Sequence, residues 1–224
     1  MSPYGFTLLT ALMLGLCLTA SAELLDEPLK PLPPVPAQDP QRVELGRQLF
    51  NETRLSVNNS LSCASCHHLG KGGADDKPFS IGFNGQPLNI NTPSVLNASL
   101  NFRQFWNGRA DTLEDQVHDV VQSPTGMGSN WEHVVQTLST APAYHSAFGN
   151  AYPDGVTAAN VQNALATYER TLLSTHSRFD QYLQGNTDIL SLDENTVTNA
   201  SRTTAASPVI KGSTSAATCS RSSG

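Results

Sequence analysis

The 224 residues suffice for one substantial domain or two small ones, and 13 Lys and Arg against 19 Asp and Glu give a formal net charge of −6. That balance argues against a nucleic-acid footprint and leaves a positively charged redox partner open. The four cysteines, Cys17, Cys63, Cys66 and Cys219, are not placed like a disulfide framework.

In chain order, the apolar run 6–18 followed by Ala20-Ser21-Ala22 reads as a signal peptide, residues 1–22, too short to span a bilayer. A buried N-terminal helix or membrane anchor is the alternative. Lipidation at Cys17 is disfavoured by the large Leu16 before it. No other segment is a membrane-spanning candidate, so the mature chain is expected in the periplasm. Residues 23–38 hold five prolines and should form an extended tether. Asp39 as cap and Pro40 as first residue open a helix with Val43, Leu45, Leu49 and Phe50 on its apolar side, ending near Arg54.

Residues 70–85 and 84–101, rich in Gly, Asp and Asn, are expected as loops, unusually long unless a cofactor gives them something to pack on. Thr112-x-x-Asp115 and Ser129-x-x-Glu132 resemble capping boxes and predict two short helices. Thr157 caps a longer one, placed at about 158–174, with Val161, Leu165, Tyr168 and Leu172 as its stripe. No strand pattern appears. The fold class is therefore expected to be all-α with long irregular loops, followed by an unfolded tail over 191–224 that turns to Ser, Thr and Ala from Ser201.

Cys63-Ala64-Ser65-Cys66-His67 has the spacing that lets two thiols add to the two vinyl groups of one haem while the next residue ligates its iron. In an exported chain this predicts one covalently attached haem c, with Cys63 and Cys66 as anchors and His67 as the iron ligand. A redox Cys-x-x-Cys would want a βαβ context, and a zinc site would want a second ligand pair that this region does not supply. A carbonyl or water should accept the other ring proton of His67. The sixth coordination position stays open among His68, His118, His133, His145, His176, Met127 and water. If unfilled it permits peroxide binding; if filled it favours electron transfer.

Further motifs surround this pentapeptide: Leu45-Gly46-Arg47-x-Leu49-Phe50, Gly72-Gly73-Ala74-Asp75, Ser80-Ile81-Gly82, Asn91-Thr92-Pro93-Ser94-Val95-Leu96-Asn97-Ala98 and Phe105-Trp106-Asn107-Gly108-Arg109-Ala110. In combination they resemble the N-terminal haem domain of the bacterial di-haem cytochrome c peroxidase and MauG family, placed at 39–190. The resemblance implies a cytochrome c-like fold, His67 as proximal ligand, Gln116 as the distal-pocket glutamine, Trp106 as the family tryptophan and Arg109 beside the haem. From the residues alone, core packing for Trp106 and a surface or propionate salt bridge for Arg109 are each weighed equally with a direct catalytic role. The implied activity is reduction of hydrogen peroxide to water with electrons from a small cytochrome c or cupredoxin. Intact family enzymes are expected as homodimers. MauG-like members instead oxidise a partner protein, and a mono-haem electron carrier is a third possibility.

Three departures stand out. Phe83 occupies the position of the family's distal histidine, and Gly126 that of an acid-base glutamate; Glu132 and Asp119 are candidate substitutes. Third, the tail replaces the expected second haem domain. Read with the codon boundary moved one nucleotide upstream, residues 201–224 can spell a second Cys-x-x-Cys-His segment, so a frameshift near 199–201 is expected, with Cys219 an incidental out-of-frame residue.

Overall fold

The computed structural model describes residues 29–203, with side chains to Ser201. The segment expected to be a signal peptide, with Cys17, and the residues beyond 203, with Cys219, lie outside the described residues. The described residues fall into two compact units, residues 32–177 and a second that contains 29–31 and 178–203. The described residues are all-α: they contain no β-sheet, only the isolated bridges His68 with Ala74, Ile81 with Pro87 and Gln104 with Ala110.

The larger unit holds five helices: α1 (Pro40–Phe50), α2 (Leu113–Gln122), α3 (Trp131–Thr140), α4 (Pro142–Ala151) and α5 (Ala158–Glu169). Helix α1 starts as its sequence predicts, with the Asp39 carboxylate accepting from the Gln41 and Arg42 amides and Pro40 at the first position. It stops at Phe50 rather than near Arg54, because Glu52 caps a separate 3₁₀ turn over Thr53–Leu55 and binds the Arg54 amide and guanidinium. Helix α1 packs most extensively on α5. Leu45, Leu49 and Phe50 join Val161, Leu165 and Tyr168 in one buried cluster, with Phe50 edge-on to Tyr168 at 5.4 Å between ring centroids.

Gly46 sets the closeness of that crossing, since a Cβ there would lie 2.0 Å from the Ala164 carbonyl oxygen. The capping box of α2 forms as expected, with Thr112 and Asp115 exchanging side-chain-to-amide bonds of 3.1 Å. Helix α3 begins one residue later than predicted. Its cap is Asn130, whose side chain accepts from the His133 amide, while the Ser129 amide turns away to the Val121 carbonyl. Thr157 caps α5, which ends at Glu169 rather than near 174. Beyond it Leu172 turns its carbonyl to the Asn97 amide, tying the helix end to the loop before α2.

In the other unit, α6 (Arg178–Leu183) and α7 (Leu192–Thr203) flank a 3₁₀ turn over Thr187–Ile189. Helix α7 covers the first part of the segment expected to be unfolded. Its physical cause is a capping exchange between Ser191 and Glu194, reinforced by two 2.7 Å bonds from Arg178 to the Glu194 carboxylate.

Candidate haem site

The cysteine-histidine segment is a 3₁₀ turn over Cys63–Ser65, closed when the His67 and Cys66 amides donate to the Cys63 carbonyl at 2.9 and 3.2 Å. The loop leading into it is pinned by Ser56, fully buried, whose hydroxyl donates to the Thr53 carbonyl and accepts from the Ser60 and Leu61 amides. The turn thus presents Cys63, Cys66 and His67 together, on the wall of one cavity.

The His67 imidazole is fixed by an Nδ1–H donated to the Gly73 carbonyl at 3.0 Å, which leaves Nε2 with its lone pair available to a metal. Burial lowers the pKa of the ring and so favours the neutral form that ligates iron. Gly73 is needed for this bond. Its φ is +76°, and a Cβ would meet the Ser94 hydroxyl at 2.9 Å and the Leu96 side chain at 3.0 Å. The same carbonyl accepts from the Val95 amide at 3.1 Å, so the Gly72-Gly73 and Asn91–Ala98 motifs meet behind the histidine.

Both cysteines are free thiols. Burial pushes the Cys63 thiol up to about 12, and burial likewise raises Cys66. A redox-active Cys-x-x-Cys has the opposite character, a lowered pKa that yields thiolate. The pair suits covalent capture of a cofactor better than thiol exchange.

Two adjoining cavities, of about 100 and 430 Å³, share His67, Leu88, Thr92, Gln116, Val120 and Glu169 on their walls. The smaller also takes in Cys63, Cys66, Ile81, Val117, Gly126 and Met127. Gln116 projects from α2 with no side-chain hydrogen bond among the described residues, so its amide offers both a donor and an acceptor to the cavity. Glu169, at the end of α5, is 6 % exposed, and its carboxyl has no hydrogen bond or ion pair among the described residues. Burial pushes that carboxyl up to about 8. The sequence singled out Gln116 but missed Glu169; its only signal there was a lone carboxylate one position past the apolar Tyr168 of the α5 stripe.

Trp106 borders the larger cavity, donates its Nε1–H to the Asn91 carbonyl at 3.0 Å and is 66 % exposed. Arg109 lines neither cavity. Its guanidinium stacks 3.4 Å over the Phe105 ring centroid and bonds Asp119 at 3.2 Å, and Asp119 is thereby engaged at the surface. Among the sixth-ligand candidates, Met127 lines the smaller cavity and the five histidines line neither. His118 instead stacks on Trp131 and contacts Gln122 and Gln162. Phe83 packs against Gly128, whose Cβ would fall 2.3 Å from its ring.

These features fit a haem: a neutral imidazole with one fixed nitrogen, two reduced thiols at vinyl-adduct spacing, and a largely apolar enclosure. Comparison with known proteins agrees. The family described as di-haem cytochrome c peroxidase matches residues 40–188, and the chain belongs to that family. It is 42 % identical over 153 residues to the cytochrome c551 peroxidase of Pseudomonas aeruginosa, covering 67 % of this chain and 44 % of that protein. With the cytochrome c551 peroxidase of Nitrosomonas europaea it shares 38 % identity over 189 residues, 83 % of this chain and 56 % of that one. A crystal structure of a MauG-like protein associated with microbial copper homeostasis superposes with a TM-score of 0.66 at 28 % identity, over 77 % of this chain and 51 % of that structure. The chain thus spans about half the length of the relatives it matches.

Proposed function

We propose that this chain is a periplasmic haem c domain of peroxidase type, which reduces hydrogen peroxide with electrons from a small cytochrome c or cupredoxin. The observation that carries the reading is the meeting of Cys63, Cys66, His67 and Gln116 on one cavity wall, with His67 held by the Gly73 carbonyl. Cys63 and Cys66 hold the haem through thioethers and His67 Nε2 ligates its iron. Bound there, the haem supplies one-electron redox chemistry and a site for peroxide.

The residues of the chain then have separable tasks. Leu88, Val117 and Val120 keep bulk water from the cavity. The Gln116 amide, free of other partners, orients the peroxide by donating to one oxygen and accepting from the other. Trp106, exposed and bordering the larger cavity, is assigned to the face where electrons enter. No helix among the described residues is long and apolar enough to cross a membrane. The net charge of −6 suits a donor with a basic docking face.

Gly126 lines the cavity where the family resemblance places an acid-base glutamate, and this position has no proton to give. Turnover is therefore expected to be slower than in a chain with a carboxyl there, by about 10²–10⁴-fold. Met127 supports a second reading. Its buried side chain lines the same cavity as His67, and a thioether on the iron would make the domain an electron carrier. Rapid mixing of the reduced and oxidised haem protein with peroxide separates the two. A fast change in the haem absorption bands and consumption of peroxide with a reduced donor are expected; inert bands would replace the peroxidase reading by electron carriage.

A further inference from the structure

Glu169 has no task in the account above, yet it occupies the wall common to both cavities. Its surroundings explain why it has no counter-charge. The adjacent Arg170 is turned to Glu114 on α2 and held there by two 2.9 Å bonds, so the nearest cation is already committed. On the cavity side, Cys63 is close enough to sense the carboxylate, and in the haem-loaded chain it is a thioether with nothing to titrate. Tyr168, its helix neighbour, faces the Arg47 and Glu44 ion pair of α1. Glu169 is therefore a buried carboxyl on the wall common to both cavities, with no hydrogen bond or ion pair among the described residues.

We infer that Glu169 is the redox-linked proton site of this cavity, taking up one proton when the haem accepts one electron. The step balances: an electron from a one-electron donor enters the oxidised haem, and a proton from solvent forms one O–H bond on the Glu169 carboxylate. Nothing else is made or broken. The physical cause is charge compensation. Reduction removes one positive charge from the centre, and in a poorly solvated wall the carboxylate that remains becomes costlier to keep ionised. The inference rests on haem occupancy, which is part of the proposed function, but not on peroxide turnover.

The test is a spectroelectrochemical titration of the haem-loaded protein between about pH 5.5 and 9.5, with haem content measured on the same sample. For one proton per electron, each tenfold fall in proton activity lowers the midpoint by about 59 mV over the window where the carboxyl titrates. Wild type should show this slope, E169D should keep it in a shifted window, and E169Q should lose it. A wild-type slope retained in E169Q would overturn the assignment to Glu169, as would a flat wild-type profile; in either case haem binding itself would stand. A chain that takes up no haem overturns both this inference and the proposed function. Should E169Q not fold, the redox-difference infrared spectrum of the wild type decides: a protonated-carboxyl band must appear on reduction, and its absence sinks the assignment.

Discussion

At Gly73 a single residue carries two requirements at once, a left-handed φ of +76° and open space where Ser94 and Leu96 approach. Gly73→Ala is expected to displace the carbonyl that fixes His67, cutting haem loaded per chain severalfold and destabilising the fold by more than about 1 kcal/mol. Haem absorbance per protein with a denaturation midpoint would check both; full loading at unchanged stability would refute the role given to this glycine. Gly126 is the opposite case, a glycine whose lack of a side chain limits chemistry. A Cβ there would come 3.0 Å from both the Cβ and the Oγ of Ser123, so the turn must give by a few tenths of an ångström to accept it. Gly126→Glu should raise the rate of peroxide reduction about 10²-fold or more if its carboxyl reaches the cavity. Stopped-flow rates unchanged in a folded, loaded variant would show that acid-base help is not what the wild type lacks.

Among the elements, the α1–α5 crossing is where sequence and packing are most tightly coupled. Gly46→Ala puts a methyl 2.0 Å from the Ala164 carbonyl, so the two helices must separate. The expected cost is about 1–3 kcal/mol, read as a lower midpoint in urea. The starts of α1, α2 and α5 were legible because their caps are local, Asp39, Thr112 and Thr157 acting on amides two or three residues away. Their ends were less legible: α5 stops where Leu172 answers the distant Asn97, a contact no local pattern announces. Helix α4 was missed although Pro142 at its first position and the Tyr144, Phe148, Ala151 face are present in the sequence. The site divides the same way. Cys63, Cys66 and His67 announce themselves by spacing, whereas Glu169, 106 residues beyond Cys63, meets them only in the folded chain, from the end of α5.

For the molecule as a whole, two carboxylates set opposing pH dependences. Hydrogen bonds from Arg54 hold Glu52 down to about 2, so its contribution to stability is present above the ordinary value of 4.5 and is lost as pH falls toward 2. Burial holds Glu169 up to about 8, so the folded state binds more protons than the unfolded between 4.5 and 8, and stability falls as pH rises through that window. Thermal unfolding of the haem-loaded protein should therefore weaken from pH 5 to 8, and E169Q should remove much of that decline; an identical decline in E169Q would contradict the assignment.

The central claim is covalent haem on Cys63 and Cys66 with His67 beneath it. Its most direct test is peptide mapping by mass spectrometry of the protein exported in a host able to attach haem c. The account predicts that the peptide spanning 63–67 carries one haem through both cysteines; the same peptide recovered with two free thiols and no haem would contradict it.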